Sequence, residues 1–224
     1  RVFTDGRYGV AGTTDVADVA DVVTRALASA EQGDALTFDL PAAGLLPAIS
    51  CFDDRAAGMD VASLAAIGRG IVERLARPGW QVNASVDRYV ETTTFANTAG
   101  QAFSSRATGV SVSAEVARVA GDDVLMAYDS AAATGVPTGA ELDRIVASIV
   151  TRMERAERVV APPEGKLPVL FTPNGSAALL LPVRQAISGK SVLQGVSPLG
   201  GKLGEKLFDV ALTIVDDPLV PSRL

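Results

Sequence analysis

The spacing of apolar residues along the chain changes from helical to alternating and then back to helical. Apolar side chains recur every three or four residues between residues 16 and 32 and again between residues 61 and 77, which is typical of amphipathic helices. From Gln81 to Ser130 they alternate with polar residues, as in strands with one buried face. Helical spacing returns after Thr138. This order predicts an α+β fold in which an antiparallel β meander packs with helices.

Capping and helix-breaking residues mark the ends of the three predicted helices. Asp15 is expected to cap the first helix, and Asp60 the second, which ends before Pro78. Thr138 and Glu141 form a capping box at the start of the third. The residues expected to face the core are Val16, Val19, Val23, Leu27 and Ala30 in the first helix, Val61, Leu64, Gly68, Ile71 and Leu75 in the second, and Leu142, Ile145, Ile149, Met153 and Val160 in the third.

Turn residues divide the alternating region into three predicted strands. The breaks fall at residues 97–100 and 121–123, which are rich in asparagine, aspartate and glycine. A shorter hairpin is predicted near the start of the chain, where Asp5-Gly6 separates two short apolar runs. These turns predict antiparallel pairing between neighbouring strands.

A long irregular connection is predicted between residues 34 and 60, where prolines and glycines interrupt every period. It contains the carboxylate pair Asp53-Asp54, which lacks a third oxygen ligand at a recognisable spacing and is therefore interpreted as loop charge. It also contains Cys51, the single cysteine, interpreted as a small hydrophobic residue. The sequence leaves open whether this connection covers a surface or lines a cleft.

The segment Ala161-Pro162-Pro163-Glu164-Gly165 predicts a linker between two domains. Residues 1–160 would form the first domain, residues 161–165 the linker, and residues 166–224 the beginning of a second, α/β-containing domain. Strands are predicted at residues 169–171 and 211–215, with an apolar segment up to Gly189 between them. The glycine-rich stretch 195–204 is either a peptide-binding loop or a mobile connection.

Composition narrows the possible functions. The chain has 224 residues, 48% of them apolar, and a net charge of −6 without a block of basic residues, so direct nucleic-acid binding is not expected. Its apolar runs are shorter than the roughly 20 residues that span a bilayer. A single cysteine allows no internal disulfide, as is usual in reducing compartments. We therefore expect a cytoplasmic protein without membrane contact.

The absence of histidine is the strongest chemical feature of the sequence. A Ser-His-Asp triad needs imidazole as its base, and catalytic zinc sites usually use it as a ligand. Gly189-Lys190-Ser191 is not a phosphate-binding loop, because Arg184 stands where that motif needs glycine. We therefore predict no catalytic, cofactor-binding or metal-binding residue in this chain. Carboxylate or Ser-Lys chemistry stays formally open, with no motif to support it.

Two parts of the chain resemble the TldD/PmbA family, first described as modulators of DNA gyrase and now regarded as two-subunit metalloproteases. The resemblance lies in the N-terminal Arg1–Thr13 segment, in Ile187-Ser188-Gly189-Lys190-Ser191-Val192, in Gly204-Glu205, and in Leu212-Thr213-Ile214-Val215-Asp216-Asp217-Pro218. It implies a fragment that lacks the extreme N-terminus and most of the C-terminal domain. One subunit type of this family carries an HExxxH zinc motif, and the other, the TldE or PmbA type, lacks it.

The position of the zinc motif in the family assigns this chain to one subunit type. Counting back from Ser188-Gly189, the motif falls near Leu180-Leu181-Pro182-Val183-Arg184-Gln185, where leucine and glutamine replace the histidines. The resemblance thus implies a metal-free, non-catalytic subunit of a heterodimer that cleaves unfolded or leader peptides. Zinc would be held by an HExxxH-bearing partner. The alternative is a binding or regulatory module, acting on DNA gyrase or a toxin–antitoxin system, without a peptidase role.

Overall fold

A computed structural model describes residues 1–15, 17–35, 39–217 and 219. The strands are β1 (Val2–Thr4), β2 (Arg7–Gly9), β3 (Trp80–Ala96), β4 (Ala102–Ala120) and β5 (Asp123–Ala133). The helices are α1 (Val19–Glu31), α2 (Asp54–Ala57), α3 (Val61–Leu75), α4 (Gly139–Ala156), α5 (Ala177–Ala186) and α6 (Gly189–Leu193). No helix in these ranges is long and apolar enough to cross a membrane.

The main sheet is the predicted antiparallel meander, with strands in the order β3-β4-β5. Helices α3 and α4 pack against one face of it. The buried core consists of Ile71, Leu75, Val112, Ala114, Val116, Ala127, Ile145, Ile149 and Met153. These residues come from the predicted stripes of the two helices, from alternate positions of the central strand and, for Ala127, from β5, so the α+β prediction is confirmed.

The predicted capping box of α4 is present. The backbone N–H of Thr138 donates to Glu141 Oε2 at 2.7 Å, and the backbone N–H of Glu141 donates to Thr138 Oγ1 at 3.3 Å. The backbone hydrogen bond from Thr138, and then the one from its hydroxyl, lower the pKa of Glu141. The box fixes the first turn of α4, and Ile145, Ile149 and Met153 lie on its buried face, as predicted. The prediction is wrong for Val160, which lies beyond the end of the helix and is 66% exposed.

Substitution of the capping residue provides a test of this arrangement. Thr138→Ala should lower the free energy of unfolding by about 1 kcal/mol, because an N-terminal donor of α4 loses its acceptor. Urea denaturation followed by circular dichroism measures the change. Thr151→Ala, on an exposed position of the same helix, is the control and should be neutral or slightly stabilising. Equal destabilisation by both substitutions would contradict the role of the cap.

Helix α3 begins as predicted, because the backbone N–H of Ser63 donates to Asp60 Oδ1 at 2.8 Å. This hydrogen bond holds the pKa of Asp60 below its usual value. The predicted core face is wrong in the first turn, where Val61 is 81% exposed. The reason is an open groove of about 700 Å³ between the first half of α3 and strand β3. Only Ile71 and Leu75 are fully buried.

The predicted core face of α1 is wrong throughout most of its length. Val19, Val23 and Leu27 are between 45% and 65% exposed, whereas Ala26 and Ala30 are buried. The cause is the hairpin β1–β2, whose backbone packs so close to the helix that only alanine fits beneath it. The predicted cap is also wrong, because Asp15 accepts from the backbone N–H of Ala17, outside the helix. Residue 16 lies outside the described residues.

The N-terminal hairpin itself is confirmed, with Val2 paired to Gly9 and Thr4 to Arg7. Asp5 and Gly6 occupy its turn with φ values of 50° and 68°. Two successive positive φ angles are typical of a type I′ turn, whose twist matches that of the flanking strands.

The connection 34–60 lies against the far end of the sheet. Strand β5 pairs only with the stretch of β4 from Val110 to Ala120, so the remaining part of β4 pairs with β3 alone. Two hydrogen bonds join this two-stranded arm to the connection. Asn97 Nδ2 donates to the carbonyl oxygen of Pro41 at 2.8 Å, and the backbone N–H of Thr108 donates to the carbonyl oxygen of Cys51 at 2.9 Å. The connection also contains α2, a short helix that the sequence did not predict. Residues 36–38 of the connection lie outside the described residues.

The strands predicted at residues 169–171 and 211–215 are wrong, because both segments are irregular in the structure. Neither pairs with another strand among the residues described, and an apolar run forms a strand only where a partner accepts its backbone hydrogen bonds. Residues 161–165 are irregular, and the domain division there stays a prediction. Residue 218 and residues 220–224 of the predicted second domain lie outside the described residues.

Candidate functional site

The six positions to which the family resemblance assigns the zinc motif, residues 180–185, all lie within α5. Leu180 and Leu181 are exposed, as is Gln185. None of these side chains is a zinc ligand of the usual kind or a general base. Pro182 lies within the helix and leaves it without one backbone donor. Across the described ranges, no group of three histidine, cysteine, aspartate or glutamate side chains could hold a metal ion.

The other candidates from the sequence have structural roles. Asp53 caps α2, since its Oδ1 accepts from the backbone N–H of Ala56 at 2.8 Å. Cys51 is half-buried beside β4, which accords with its interpretation as a small hydrophobic residue. Gly189-Lys190-Ser191 begins the short helix α6 rather than a phosphate-binding loop. In the glycine-rich stretch, Gly195, Gly201 and Gly204 have positive φ angles, as tight turns require.

The structure brings together a charged cluster that the sequence did not predict. Asp129 of β5 is only 5% exposed, and Arg144 of α4 donates from Nη1 to both of its carboxylate oxygens, at 3.2 and 3.3 Å. Arg152 Nη2 lies 3.9 Å from the same carboxylate. The backbone N–H of Ser130 donates to it at 2.7 Å. A buried carboxylate is thus compensated by two guanidinium groups from the neighbouring helix.

The environment of Asp129 favours its charged form. Burial raises the pKa of Asp129, but hydrogen bonds from Ser148 and from the N–H of Ser130, together with the charge of Arg144, have the larger combined effect. The pKa therefore lies below its usual value, and Asp129 is ionised at neutral pH.

The same two arginines also contact the edge of the sheet at β5, which pairs with no further strand among the described residues. Arg152 Nη1 donates to the carbonyl of Tyr128 at 2.7 Å, and Arg144 Nη2 donates to the carbonyl of Ser130 at 2.8 Å. Strand β5 is an edge strand, and carbonyls on such an edge otherwise face solvent. The arginines therefore hold α4 and β5 together through both charge and backbone hydrogen bonds.

These residues line an open cavity of about 680 Å³, which continues into a neighbouring one of about 570 Å³. The opposite wall is the turn at Pro173-Asn174 that precedes α5. We call this region the basic cleft and define it by Asp129, Arg144, Arg152, Arg155, Pro173 and Asn174. Two sequence signals could have revealed it: a carboxylate on the core-facing side of β5, and the four-residue spacing of Arg144, Ser148 and Arg152 on α4.

Comparisons with known proteins match both the sequence and the fold. Residues 164–224 match the family model described as the PmbA/TldA metallopeptidase C-terminal domain. A protein of Archaeoglobus fulgidus described as a metalloprotease is 31% identical over 82 residues, which are 36% of this chain and 19% of that protein. This relative is therefore much longer than the part that the chain matches.

Solved structures with the same fold cover most of the chain. TldE from Thermococcus kodakarensis matches with a TM-score of 0.71 and 20% identity, over 90% of this chain and 47% of that one. A candidate modulator of a DNA gyrase from Thermotoga maritima matches with a TM-score of 0.75 and 19% identity, over the same shares. The chain thus spans about half the length of these proteins. Residues 164–224 of this chain thus belong to the PmbA/TldA metallopeptidase C-terminal domain family, and the chain has the same fold as TldE.

Proposed function

We propose that this chain is the metal-free, TldE/PmbA-type subunit of a cytoplasmic two-subunit metalloprotease that cleaves unfolded or leader peptides. The observation that carries the proposal is the chemistry of α5. This helix lies in the segment that matches a metallopeptidase domain, and the positions that the family resemblance assigns to the zinc ligands hold Leu180 and Gln185. Leucine has no donor atom for a metal, and the amide of glutamine is a poor substitute for imidazole.

In this proposal the partner subunit supplies the chemistry. An HExxxH-bearing homologue holds the zinc and activates the attacking water, and this chain contributes to the dimer and to the walls of the cleft in which the peptide lies. The exposed apolar side chains of α5, Leu179, Leu180 and Leu181, support a role in contacts, because a cluster of this kind is usual at protein interfaces.

A second candidate function is a binding or regulatory module without a peptidase role, acting on DNA gyrase or a toxin–antitoxin system. The description of the Thermotoga maritima structure as a candidate modulator of a DNA gyrase favours it. The net charge of −6 makes a protein target more suitable than DNA itself.

Affinity purification of the protein from its own cell extract, with mass spectrometry and metal analysis, tests the proposal. We expect an HExxxH-bearing homologue to copurify with about one zinc ion per pair of chains. Peptidase activity of the pair should disappear with a chelator and with glutamine in place of the partner's motif glutamate. Gln185→Ala in this chain is the matched variant and should leave the zinc content unchanged.

Two outcomes would contradict the proposal. Purification of the chain alone and free of metal would favour the binding module. Loss of zinc from the pair upon Gln185→Ala would show that this chain contributes to the metal site.

A further inference from the structure

The basic cleft carries more positive charge than its own carboxylate neutralises. Arg144, Arg152 and Arg155 line it, and Asp129 is the carboxylate that accompanies them in the same lining. Arg155 forms no ion pair or hydrogen bond with any residue that the structure describes. This local excess of positive charge stands in a chain whose net charge is −6. An anionic ligand would therefore be attracted to this face of the molecule more than to the rest of it.

The arginines keep donors available for such a ligand. Arg152 is anchored through Nη1 on the carbonyl of Tyr128, while its Nη2, at 3.9 Å from Asp129, is beyond hydrogen-bond distance of that carboxylate. A guanidinium group has five N–H donors in a planar fork. Because this one is already fixed in place, little side-chain entropy would be lost when it binds a second carboxylate.

An apolar strand edge adjoins these donors. Val124, Met126 and Tyr128 of β5 are exposed, and β5 has β4 as its partner on one side and no strand on the other among the described residues. The arginines occupy the carbonyls of Tyr128 and Ser130, so the edge from Val124 to Met126 remains for pairing. An extended chain can add to such an edge through backbone hydrogen bonds.

We propose that the basic cleft binds an acidic, extended peptide segment. One carboxylate of the peptide lies between Arg152 and Arg155, and its backbone runs along β5 beside Val124 and Met126. A small inorganic anion would leave the apolar edge uncovered, and the negative net charge disfavours nucleic acid. The inference does not rest on the proposed function, since it concerns residues of this chain alone and needs neither zinc nor a partner subunit.

Fluorescence anisotropy with the purified protein tests this site. The probe is a labelled peptide of alternating valine and glutamate, and its counterpart carries glutamine in place of glutamate. We expect the glutamate peptide to bind roughly tenfold more tightly than the glutamine peptide, since each charge-assisted hydrogen bond contributes about that factor. Its binding should weaken as salt is raised.

Two variants locate the binding on the protein. Arg155→Gln, which breaks no side-chain hydrogen bond or ion pair within the described structure, should weaken binding of the glutamate peptide by roughly tenfold. Arg158→Gln makes the same change of charge on an exposed residue outside the cleft and should change binding by less than about twofold. Circular dichroism and urea denaturation confirm that both variants fold like the unsubstituted protein.

Several results would overturn the inference. These are equal binding of the two peptides, equal effects of the two substitutions, and no detectable binding of the glutamate peptide. Displacement of the peptide by inorganic phosphate as readily as by an unlabelled copy would indicate a general anion site, and it would also reject the peptide as the ligand.

Discussion

Replacing Gly9 by alanine is expected to lower the free energy of unfolding by about 3 kcal/mol. A Cβ atom at this position would lie 2.1 Å from the carbonyl oxygen of Ala26 and 2.8 Å from the Cβ of Ala30. The nearest atoms belong to the backbone of α1 and cannot rotate away, so the hairpin and the helix have to separate. The cost comes from this overlap and not from backbone conformation, because Gly9 lies in β2 and its φ is outside the positive range that favours glycine.

Gly12→Ala is the matched control, because no heavy atom lies within 4 Å of the added Cβ. It should change the free energy of unfolding by less than about 0.5 kcal/mol. Urea denaturation measures both variants, and limited proteolysis reports whether the hairpin has separated from α1. A Gly9→Ala protein as stable as the control would show that the hairpin does not pack on α1 in this way.

Replacing Asp129 by alanine should lower the free energy of unfolding by about 2 kcal/mol. Removal of a buried ion-pair partner usually costs about 3 to 5 kcal/mol, but the side chains of Arg144 and Arg152 are about half exposed and regain water when the carboxylate is removed. Asp143→Ala is the matched control. Asp143 forms a comparably short ion pair with Arg74, but its own side chain is 72% exposed, and such pairs contribute about 1 kcal/mol at most.

The effect of Asp129→Ala should depend on pH. The pKa of Asp129 is lower in the folded than in the unfolded protein, so its stabilisation is complete above the unfolded value of about 3.9. It is lost as pH falls through the folded pKa. The difference in unfolding free energy between the unsubstituted protein and the variant should therefore shrink in acid. A difference that stays constant through this range would show that the charge of Asp129 is not what stabilises the fold.

Local signals in the sequence were sufficient for the central part of the fold. The alternation from Gln81 to Ser130 identifies the meander, and the Thr138–Glu141 box identifies the start of α4, because in both cases neighbouring residues determine the structure. The cap of α3 could be predicted for the same reason, because Asp60 accepts a hydrogen bond from the N–H of Ser63, only three residues away. These features need no knowledge of distant contacts.

Distant contacts explain where the predictions failed. The buried face of α1 depends on how closely β2 approaches it, so small alanines lie inside while Val23 and Leu27 lie outside. The apolar run at residues 169–171 has strand-like composition but pairs with no strand in the part of the chain that the structure describes. The basic cleft was missed because Arg144 and Arg152 look like ordinary solvated helix charges until Asp129 is placed beside them.

The two-stranded arm of β3 and β4 gives the sheet an uneven resistance to opening. Near Val112, β4 is hydrogen-bonded to a strand on each side and is covered by the helices on one face. We therefore expect amide hydrogens there to exchange with water only when the whole domain unfolds. Beyond Thr108 the ribbon is held by one partner strand and by a few hydrogen bonds from the connection 34–60. We therefore expect the arm to open and close by itself on a faster timescale, while the core around Val112 stays closed.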